Sequence, residues 1–368
     1  MSVSGDQGSG TGLDPFYRSV VDEVSRLLTV PAAQVDREAA GAQRDRIVVV
    51  LRSLNERAHA GDLDAFYLQQ QLLARIYSLF TSIPDGPTAE GSVLIHEVTR
   101  LLESATTDAE DAHLTPGLID EAPEEPREYL SWLKNLARTH RVFKHPYYVE
   151  FIQHQATEQD LRAYVIQESV VDSRFDDLLA MMQVGTSGPA KMEIASNFWD
   201  EMGNGEPDQV HTELFNRIFE VFDITDDELE SGLTASALQS GNLAVLLCRY
   251  RQLYPEAIGF LGMTEWLVPD RFTSVVKAWT RLGLPEVGIV YHRLHITVDA
   301  QHAAGWFHNV VLPSATSPAM RRGMARGVLW RLNSSARYLD ERLAGAALAQ
   351  PASPVRPPVL TSASGAGR

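Results

Sequence analysis

The chain has 368 residues, and its 48 acidic against 32 basic side chains give a formal net charge of −16. This length allows one large domain or two smaller ones. The negative charge argues against nucleic acid and against an anionic membrane surface as partners. The single cysteine excludes an intramolecular disulfide and a cysteine-rich metal site, and it is typical of a reducing cytoplasm.

The two ends of the chain differ in composition from its middle. Residues 1–14 are rich in Gly, Ser and Asp, and residues 346–368 are rich in Pro, Ser and Gly. We predict both ends to be disordered. The first residues lack the basic and apolar parts of a secretory signal, and no apolar run approaches the ~20 residues that span a membrane. We therefore expect a soluble, cytoplasmic protein.

Between the ends, apolar residues recur at helical spacing, as Leu72 and Ile76 do, and no alternating runs predict a hairpin. We therefore predict an all-α protein. Residues 106–127 are acidic and contain three prolines, which predicts a connector between domains. It would separate an N-terminal helical segment, residues 15–105, from a C-terminal helical domain, residues 128–345. The N-terminal helices could form a homodimer interface.

Three acids early in the C-terminal domain follow one another at intervals of four residues: Glu168, Asp172 and Asp176. On one helix these side chains would share a face. Such a face could meet the ammonium group of a cationic substrate, and a solvated helix face is the alternative.

Glu201 and His211 are separated by a segment that contains Gly203, Gly205 and Pro207. On a continuous helix the two side chains would be ~15 Å apart and could not share an ion. The glycines and the proline can break the helix so that the side chains converge. A helix end followed by a solvated histidine is the alternative.

Glu265 stands in the apolar segment IGFLGMTEWLV, and Pro269 follows it closely, which predicts a helix end. An acid in so apolar a segment is either buried with a partner or placed on the one wet edge of a core helix. We favour burial.

Residues 291–306 contain no proline and should form a continuous helix. His295, Asp299 and His302 then lie on one face, where a helix normally presents apolar side chains to the core. Burying them without partners would cost several kcal/mol, which a metal ion would offset. The two histidines are about 10 Å apart along the axis, so two ions with Asp299 between them fit better than one. An exposed polar stripe or a buried hydrogen-bond network is the alternative.

Three further residues are neighbours of these candidates. Asp200 precedes Glu201 and could support it from outside the ligand set, and His292 lies one helical turn from His295. A surface position is the alternative for both. Tyr291 extends the stripe and is a candidate substrate contact.

The spacing Glu-x9-His, then Glu, then about thirty residues later His-x3-Asp-x2-His resembles that of the haem-oxygenase-like di-iron oxidases, also called iron-containing redox enzymes. The resemblance covers about residues 145–306 and includes the segments HPYYVEFIQHQ, NFWDEMGNGEPDQVHTELF, GFLGMTEWLVP and YHRLHITVDAQHAAGWF. It implies a haem-oxygenase-like bundle of about seven helices, here with an N-terminal helical extension, and two Fe ions bound without haem. The six ligands that it implies are Glu201, His211, Glu265, His295, Asp299 and His302.

The resemblance also implies an enzyme, a non-haem di-iron oxygenase or oxidase that activates O2 with electrons from an external donor. We expect a small amine or amino-acid-like substrate in specialised metabolism, and N-oxygenation ahead of desaturation, C–N cyclisation or oxidative C–C cleavage of an amino or fatty acid. Glu168, Asp172 and Tyr291 are the candidate substrate contacts. A metal-free helical hydrolase and a ligand-binding bundle are the alternatives of another class. Haem binding would leave five of the six aligned ligands unexplained.

Overall fold

The computed structural model describes residues 15–349. Within this range the chain forms helices and turns and no strand, which confirms the predicted all-α fold. The last helix extends to Ala349, four residues into the tail that we expected to be disordered. The rest of that tail and residues 1–14 lie outside the described residues. No helix in residues 15–349 is both long and apolar enough to cross a membrane.

The N-terminal part of the described chain contains five helices: α1 Pro15–Leu27, α2 Ala32–Glu38, α3 Ala42–His59, α4 Leu63–Thr81 and α5 Val93–Asp111. Two of them begin with a side-chain cap. Asp62 accepts a hydrogen bond from the backbone N–H of Ala65, and Ser92 accepts one from that of Ile95. These caps satisfy N–H groups that have no partner within the helix.

The remainder of the described chain contains ten α-helices of at least seven residues: α6 Pro126–Thr139, α7 Glu158–Asp172, α8 Phe175–Gln183, α9 Gly188–Glu201, α10 His211–Phe222, α11 Asp226–Gly232, α12 Ala235–Arg249, α13 Tyr254–Leu282, α14 Val290–Trp306 and α15 Pro318–Ala349. Two π-helical segments, Tyr147–Ile152 and Phe307–Val311, lie among them. Helices outnumber the expected seven because short ones, such as α8 and α11, separate the long ones.

Helix α5 continues into residues 106–127, which we expected to be an irregular connector. Partners from distant helices hold its last turn in place. Glu110 accepts a hydrogen bond from Gln239 of α12 at 2.8 Å and forms an ion pair with Arg337 of α15. The connector therefore begins after Asp111, later than the composition indicated.

The N-terminal helices pack directly on the C-terminal ones, with α4 against α12. In this contact Nδ2 of Asn242 donates hydrogen bonds to the backbone oxygen and to Oε1 of Gln70, both at 2.9 Å. Apolar side chains from both parts belong to one buried cluster. The two predicted segments thus share a core.

Helix α13 packs between α14 and α15 at the centre of the C-terminal part. Glycines allow α13 and α15 to approach closely. A Cβ at Gly259 would lie 2.0 Å from the carbonyl oxygen of Met324, and one at Gly327 would lie 1.9 Å from that of Glu256. Larger residues at either position would push the helices apart.

Helix α13 runs through Pro269, so the predicted helix end at this residue was wrong. Proline cannot donate to the carbonyl of Glu265, and it costs about 3 kcal/mol in a helix interior. Packing against α14 and α15 on both sides offsets this cost. The hydroxyl of Thr273 also donates to the carbonyl of Pro269 at 2.8 Å.

Candidate metal centre

Helix α14 presents the predicted ligand row on its buried face. Residues 291–306 are continuous helix, as predicted. His295, Asp299 and His302 are 3%, 4% and 5% exposed. The exposed polar stripe that we considered as an alternative is therefore excluded. The row faces α13 and the C-terminal end of α9.

Glu201 ends α9 and His211 begins α10, so the helix breaks between them, as predicted. Gly203 and Asn204 have φ values of +62° and +53°. A Cβ at Gly203 would lie 2.5 Å from the carbonyl carbon of Gln209, so this tight turn requires glycine. The turn brings Nδ1 of His211 to 2.8 Å from Oε2 of Glu201.

The six predicted ligands form two buried triads, in each of which the donor atoms lie within 4.8 Å of one another. The first triad is Glu201, His211 and His295, and the second is Glu265, Asp299 and His302. Nε2 of His295 lies 4.0 Å from Oδ1 of Asp299, so the triads adjoin along α14. This geometry matches the arrangement that the spacing on α14 favours.

Several donor atoms of the triads are buried without a hydrogen-bond partner. Nδ1 of His211 is one of them, because Oε2 of Glu201, although only 2.8 Å away, is not aligned with its N–H direction. Nδ1 of His302 and Oε1 of Glu265 are others. Unpartnered buried polar atoms are costly. Donor atoms that converge in this way can coordinate a metal ion, which would give each of them a partner.

Two hydrogen bonds outside the triads orient the imidazole rings. Nδ1 of His295 is 2.8 Å from the carbonyl oxygen of Tyr291, which leaves Nε2 for the first triad. Nε2 of His302 is 3.1 Å from Oδ2 of Asp200, which leaves Nδ1 for the second. An imidazole that donates from one nitrogen presents the other as a neutral ligand. Asp200, which the sequence left undecided, is thus a partner of the site.

The carboxylates of the triads share one buried space and shift the pKa values of their neighbours. Burial, with the charges of Glu265 and Glu201, raises the pKa of Asp299 well above its usual value. Burial acts on Glu201 in the same direction, but the imidazoles of its triad outweigh it and lower its pKa to about 2. Burial lowers the pKa of His302, but Glu265 and other nearby carboxylates outweigh this and raise it to about 9. The site therefore favours positive charge at its centre, which a divalent cation supplies.

The three predicted substrate contacts lie at or beside the triads. Asp172 and Tyr291 line a small cavity next to both triads, and the Tyr291 ring centroid is 4.0 Å from that of His295. Glu168 lines an adjoining cavity and accepts a hydrogen bond from the hydroxyl of Tyr338 at 2.8 Å. The solvated face that we considered for the two acids is therefore excluded.

Asp176 does not share the helix face of Glu168 and Asp172, so that prediction was wrong. Helix α7 ends at Asp172, and Asp176 lies on α8. Between them Arg174 has a φ of −152°, far from the helical value. The interval of four residues continued across the break, so the sequence pattern did not reveal it.

His292, which the sequence also left undecided, is fully buried. Its ring packs against Phe272, with 4.5 Å between the ring centroids, and lies near Tyr164 and Phe215. Neither ring nitrogen has a hydrogen-bond partner. Burial lowers the pKa of His292 to about 3, which keeps the ring neutral.

Further side chains, which were not predicted from the sequence, line the cavity that contains Glu168. Arg271 follows Glu265 on α13, while Arg331 and Ser335 lie on α15, beyond the segments that carry the resemblance. A basic residue within the apolar segment GVLWRL was the available signal for Arg331. Helical spacing alone could not indicate that it is buried.

A surface groove leads to the second triad. Glu265 of the second triad lines it, together with Ala304 and the aromatic residues Trp266 and Phe307. The free volume of the groove is about 330 Å³. Nζ of Lys134 lies 5.0 Å from the ring centroid of Trp266. The groove therefore reaches one ligand of the second triad from the surface.

Part of the chain matches a known protein family. Residues 162–336 match the sequence model of a family described as iron-containing redox enzymes. The matched segment contains all six candidate ligands. No protein of curated function matches the chain.

Proposed function

We infer from the match of residues 162–336 that the chain is an iron-dependent oxidoreductase of the family of iron-containing redox enzymes. We propose that the two triads bind two iron ions without haem and that the protein uses O2 to oxidise a small amine or amino-acid-like substrate. The main support is the pair of buried triads contributed by α9, α10, α13 and α14.

The donor atoms of the triads suit iron. Each triad offers imidazole nitrogen and carboxylate oxygen, which bind Fe(II), and three protein ligands per ion leave positions open for O2 and substrate. The unpartnered Nδ1 atoms of His211 and His302 would each gain a partner. The same donor atoms accept Mn or Zn. The match to the family of iron-containing redox enzymes favours iron among these metals.

The chemistry that iron supplies at such a site is the activation of O2. The protein's own residues hold the donor atoms in place. The carbonyl of Tyr291 and the carboxylate of Asp200 fix the rings of His295 and His302. Apolar side chains, among them that of Phe272, line the adjoining cavity and limit the entry of water.

Among the possible oxidations we favour N-oxygenation. In this reaction R–NH2, O2, two electrons and two protons give R–NHOH and H2O, and the electrons come from an external two-electron donor. The support is the position of Asp172, which lines the cavity beside the triads and can accept a hydrogen bond from an ammonium group. The substrate nitrogen would then lie beside the metal centre.

Desaturation, C–N cyclisation and oxidative C–C cleavage of an amino or fatty acid are alternatives at the same centre. The mass of the product distinguishes them. A gain of one oxygen atom supports N-oxygenation, a loss of two hydrogen atoms supports desaturation or cyclisation, and loss of a carbon fragment supports cleavage.

The direct test loads the purified protein with Fe(II) in the absence of O2, counts bound iron, and then measures O2 consumption with candidate amines and a reductant. We expect about two iron ions per chain, one for each triad. His302→Ala should lose iron and O2 consumption. His308→Ala removes an exposed histidine soon after α14 and should retain both.

Two results would contradict the proposal. A wild-type protein that binds no iron, or a His302→Ala variant with unchanged iron and activity, would favour a metal-free hydrolase or a ligand-binding bundle. A Soret band in the purified protein would indicate haem instead.

A further inference from the structure

The cavity beside the metal centre combines two acidic with two basic side chains. Glu168 and Asp172 come from α7, Arg271 from α13 and Arg331 from α15. Each arginine is only 8% exposed. Burying four ionisable groups is costly unless each has a partner of opposite charge.

These groups do not satisfy one another. Within the described part of the chain, neither carboxylate forms an ion pair with either guanidinium at 4.0 Å or less. Nη2 of Arg271, Nε of Arg331 and Oγ of Ser335 are buried without a hydrogen-bond partner, and so is Oδ2 of Asp172. The cavity thus has unused donors and an unused acceptor. It is suited to a ligand that carries both charges.

Both arginines line the same small cavity. Burial, together with the like charge of Arg271, lowers the pKa of Arg331 to about 10. Two guanidinium groups that repel each other in a buried cavity favour a carboxylate between them.

Of the two acids in the cavity, Asp172 is the one that lies toward the metal centre. Asp172 lines both this cavity and the one that contains Glu201, His295 and Asp299. Arg331 lines only the cavity away from the triads. A ligand that used both ends would therefore have a fixed direction.

We infer that this cavity binds the zwitterion of an α-amino acid, with its carboxylate on Arg271, Arg331 and Ser335 and its ammonium group on Asp172. The amine nitrogen then faces the metal centre. This inference rests on the proposed function and adds the substrate class and its orientation. A short apolar side chain suits the remaining wall. The apolar residues of that wall are Val170, Val171, Val268 and Phe272.

The ligand enters past Arg271. The free volume of the cavity is about 30 Å³, room for about two water molecules, so an amino acid has to displace a side chain. Arg271 also lines a neighbouring cavity that reaches the exposed residues Lys144 and Asp270. Its guanidinium lies 5.5 Å from the ring centroid of Tyr148, within the π-helical segment Tyr147–Ile152. Such segments are frequent at functional sites.

The test measures equilibrium binding by calorimetry to the Fe(II)-loaded protein without O2. The probes are L-valine, isobutylamine, which lacks the carboxylate, and isovalerate, which lacks the amine. L-alanine, ethylamine and propionate form a second, smaller set. We expect the amino acid of at least one set to bind about tenfold or more tightly than both analogues, because each analogue leaves one end of the cavity unpaired.

Two variants test the two ends separately. Arg331→Gln should remove the preference for the amino acid over the amine and keep the preference over the acid. Asp172→Asn should do the reverse. Arg322→Gln, exposed on the same helix as Arg331, and Asp177→Asn, exposed on α8, are the matched controls and should keep both preferences. If circular dichroism shows that Arg331→Gln does not fold, Arg271→Gln takes its place.

Bound iron is counted in the same preparations, so failure of the proposed function can be distinguished from failure of this inference. A protein with two irons that binds neither amino acid, or that binds all probes of a set equally, overturns the inference and leaves the proposed function. Unchanged preferences in both variants overturn it as well. Selective binding by a protein that takes up no iron supports the cavity assignment and refutes the proposed function.

Discussion

The hydrogen bond between Asp200 and His302 allows the metal centre to be tested with all six ligands in place. Asp200→Asn keeps the size of the side chain and removes its charge, so the contact of 3.1 Å to Nε2 of His302 weakens. The carboxylate of Asp200 is partly exposed, at 36%, so water screens part of its charge. The main expected loss is the fixed orientation of the imidazole ring.

The expected loss of metal affinity follows from the role of residues that hydrogen-bond a metal ligand without binding the metal themselves. Their removal lowers metal affinity about 10–100-fold, or about 1.4–2.8 kcal/mol. We expect the lower half of this range, because Asp200 is partly exposed. Only the second triad should weaken. The first triad should not change, since a backbone carbonyl, that of Tyr291, holds His295.

The assay is an anaerobic titration with Fe(II) in competition with a colorimetric chelator, fitted to two sites. Glu206→Gln is the matched control, since it removes one negative charge from the exposed part of the turn after α9. One weakened and one unchanged site in Asp200→Asn would support the reasoning. Equal weakening of both sites, or the same result in Glu206→Gln, would refute it.

Three further predictions concern stability. At a free Fe(II) concentration about 100 times Kd, each occupied site should add about 2.7 kcal/mol to the free energy of unfolding; thermal unfolding with and without a chelator checks this, and an unchanged Tm would count against both sites. Gly203→Ala should destabilise the fold by more than the matched Gly283→Ala, which should cost about 1–2 kcal/mol, because both residues have positive φ but only a Cβ at Gly203 meets backbone, at 2.5 Å; urea unfolding that gives equal costs would contradict this. His292→Phe should increase the free energy of unfolding, relative to the wild type, most at acidic pH. Burial lowers the pKa of His292 from 6.5 to about 3, so only the unfolded chain binds this proton as the pH falls below 6.5, and the wild type loses about 2 kcal/mol at pH 5 that the variant keeps. A stability difference that is the same at pH 5 and pH 7 would show that the ring is not held neutral.

The positions of the six candidate ligands could be predicted because each relation between them is local. Helical periodicity alone places His295 and Asp299 on one face of α14. The glycines between Glu201 and His211 supply the backbone conformations that a sharp turn needs. The apolar neighbours of Glu265 indicated its burial. Binding of iron by these residues remains a prediction.

Features that depend on contacts between distant segments could not be predicted from the sequence. Helix α5 extends past the expected boundary because Glu110 finds its partners on α12 and α15. The charged cavity, which Glu168, Asp172, Arg271 and Arg331 line, also depends on contacts between distant segments. Glu168 and Asp172 have the spacing of a solvated face, but they line a cavity with Arg271 of α13 and Arg331 of α15. Helical spacing does not distinguish a buried charge from an exposed one.

Helix α13 carries residues of both the metal centre and the charged cavity, and Pro269 lies between these residues. Glu265 belongs to the second triad and Arg271 to the charged cavity. Six residues on a helix rotate the direction of a side chain by about 120° relative to the first, so one helix can serve both sites. Pro269 lies between these residues and removes the hydrogen bond to the carbonyl of Glu265. Local rules are broken mainly where function requires it. Pro269, which does not end the helix, therefore marks the place where α13 passes from the metal centre to the cavity beside it.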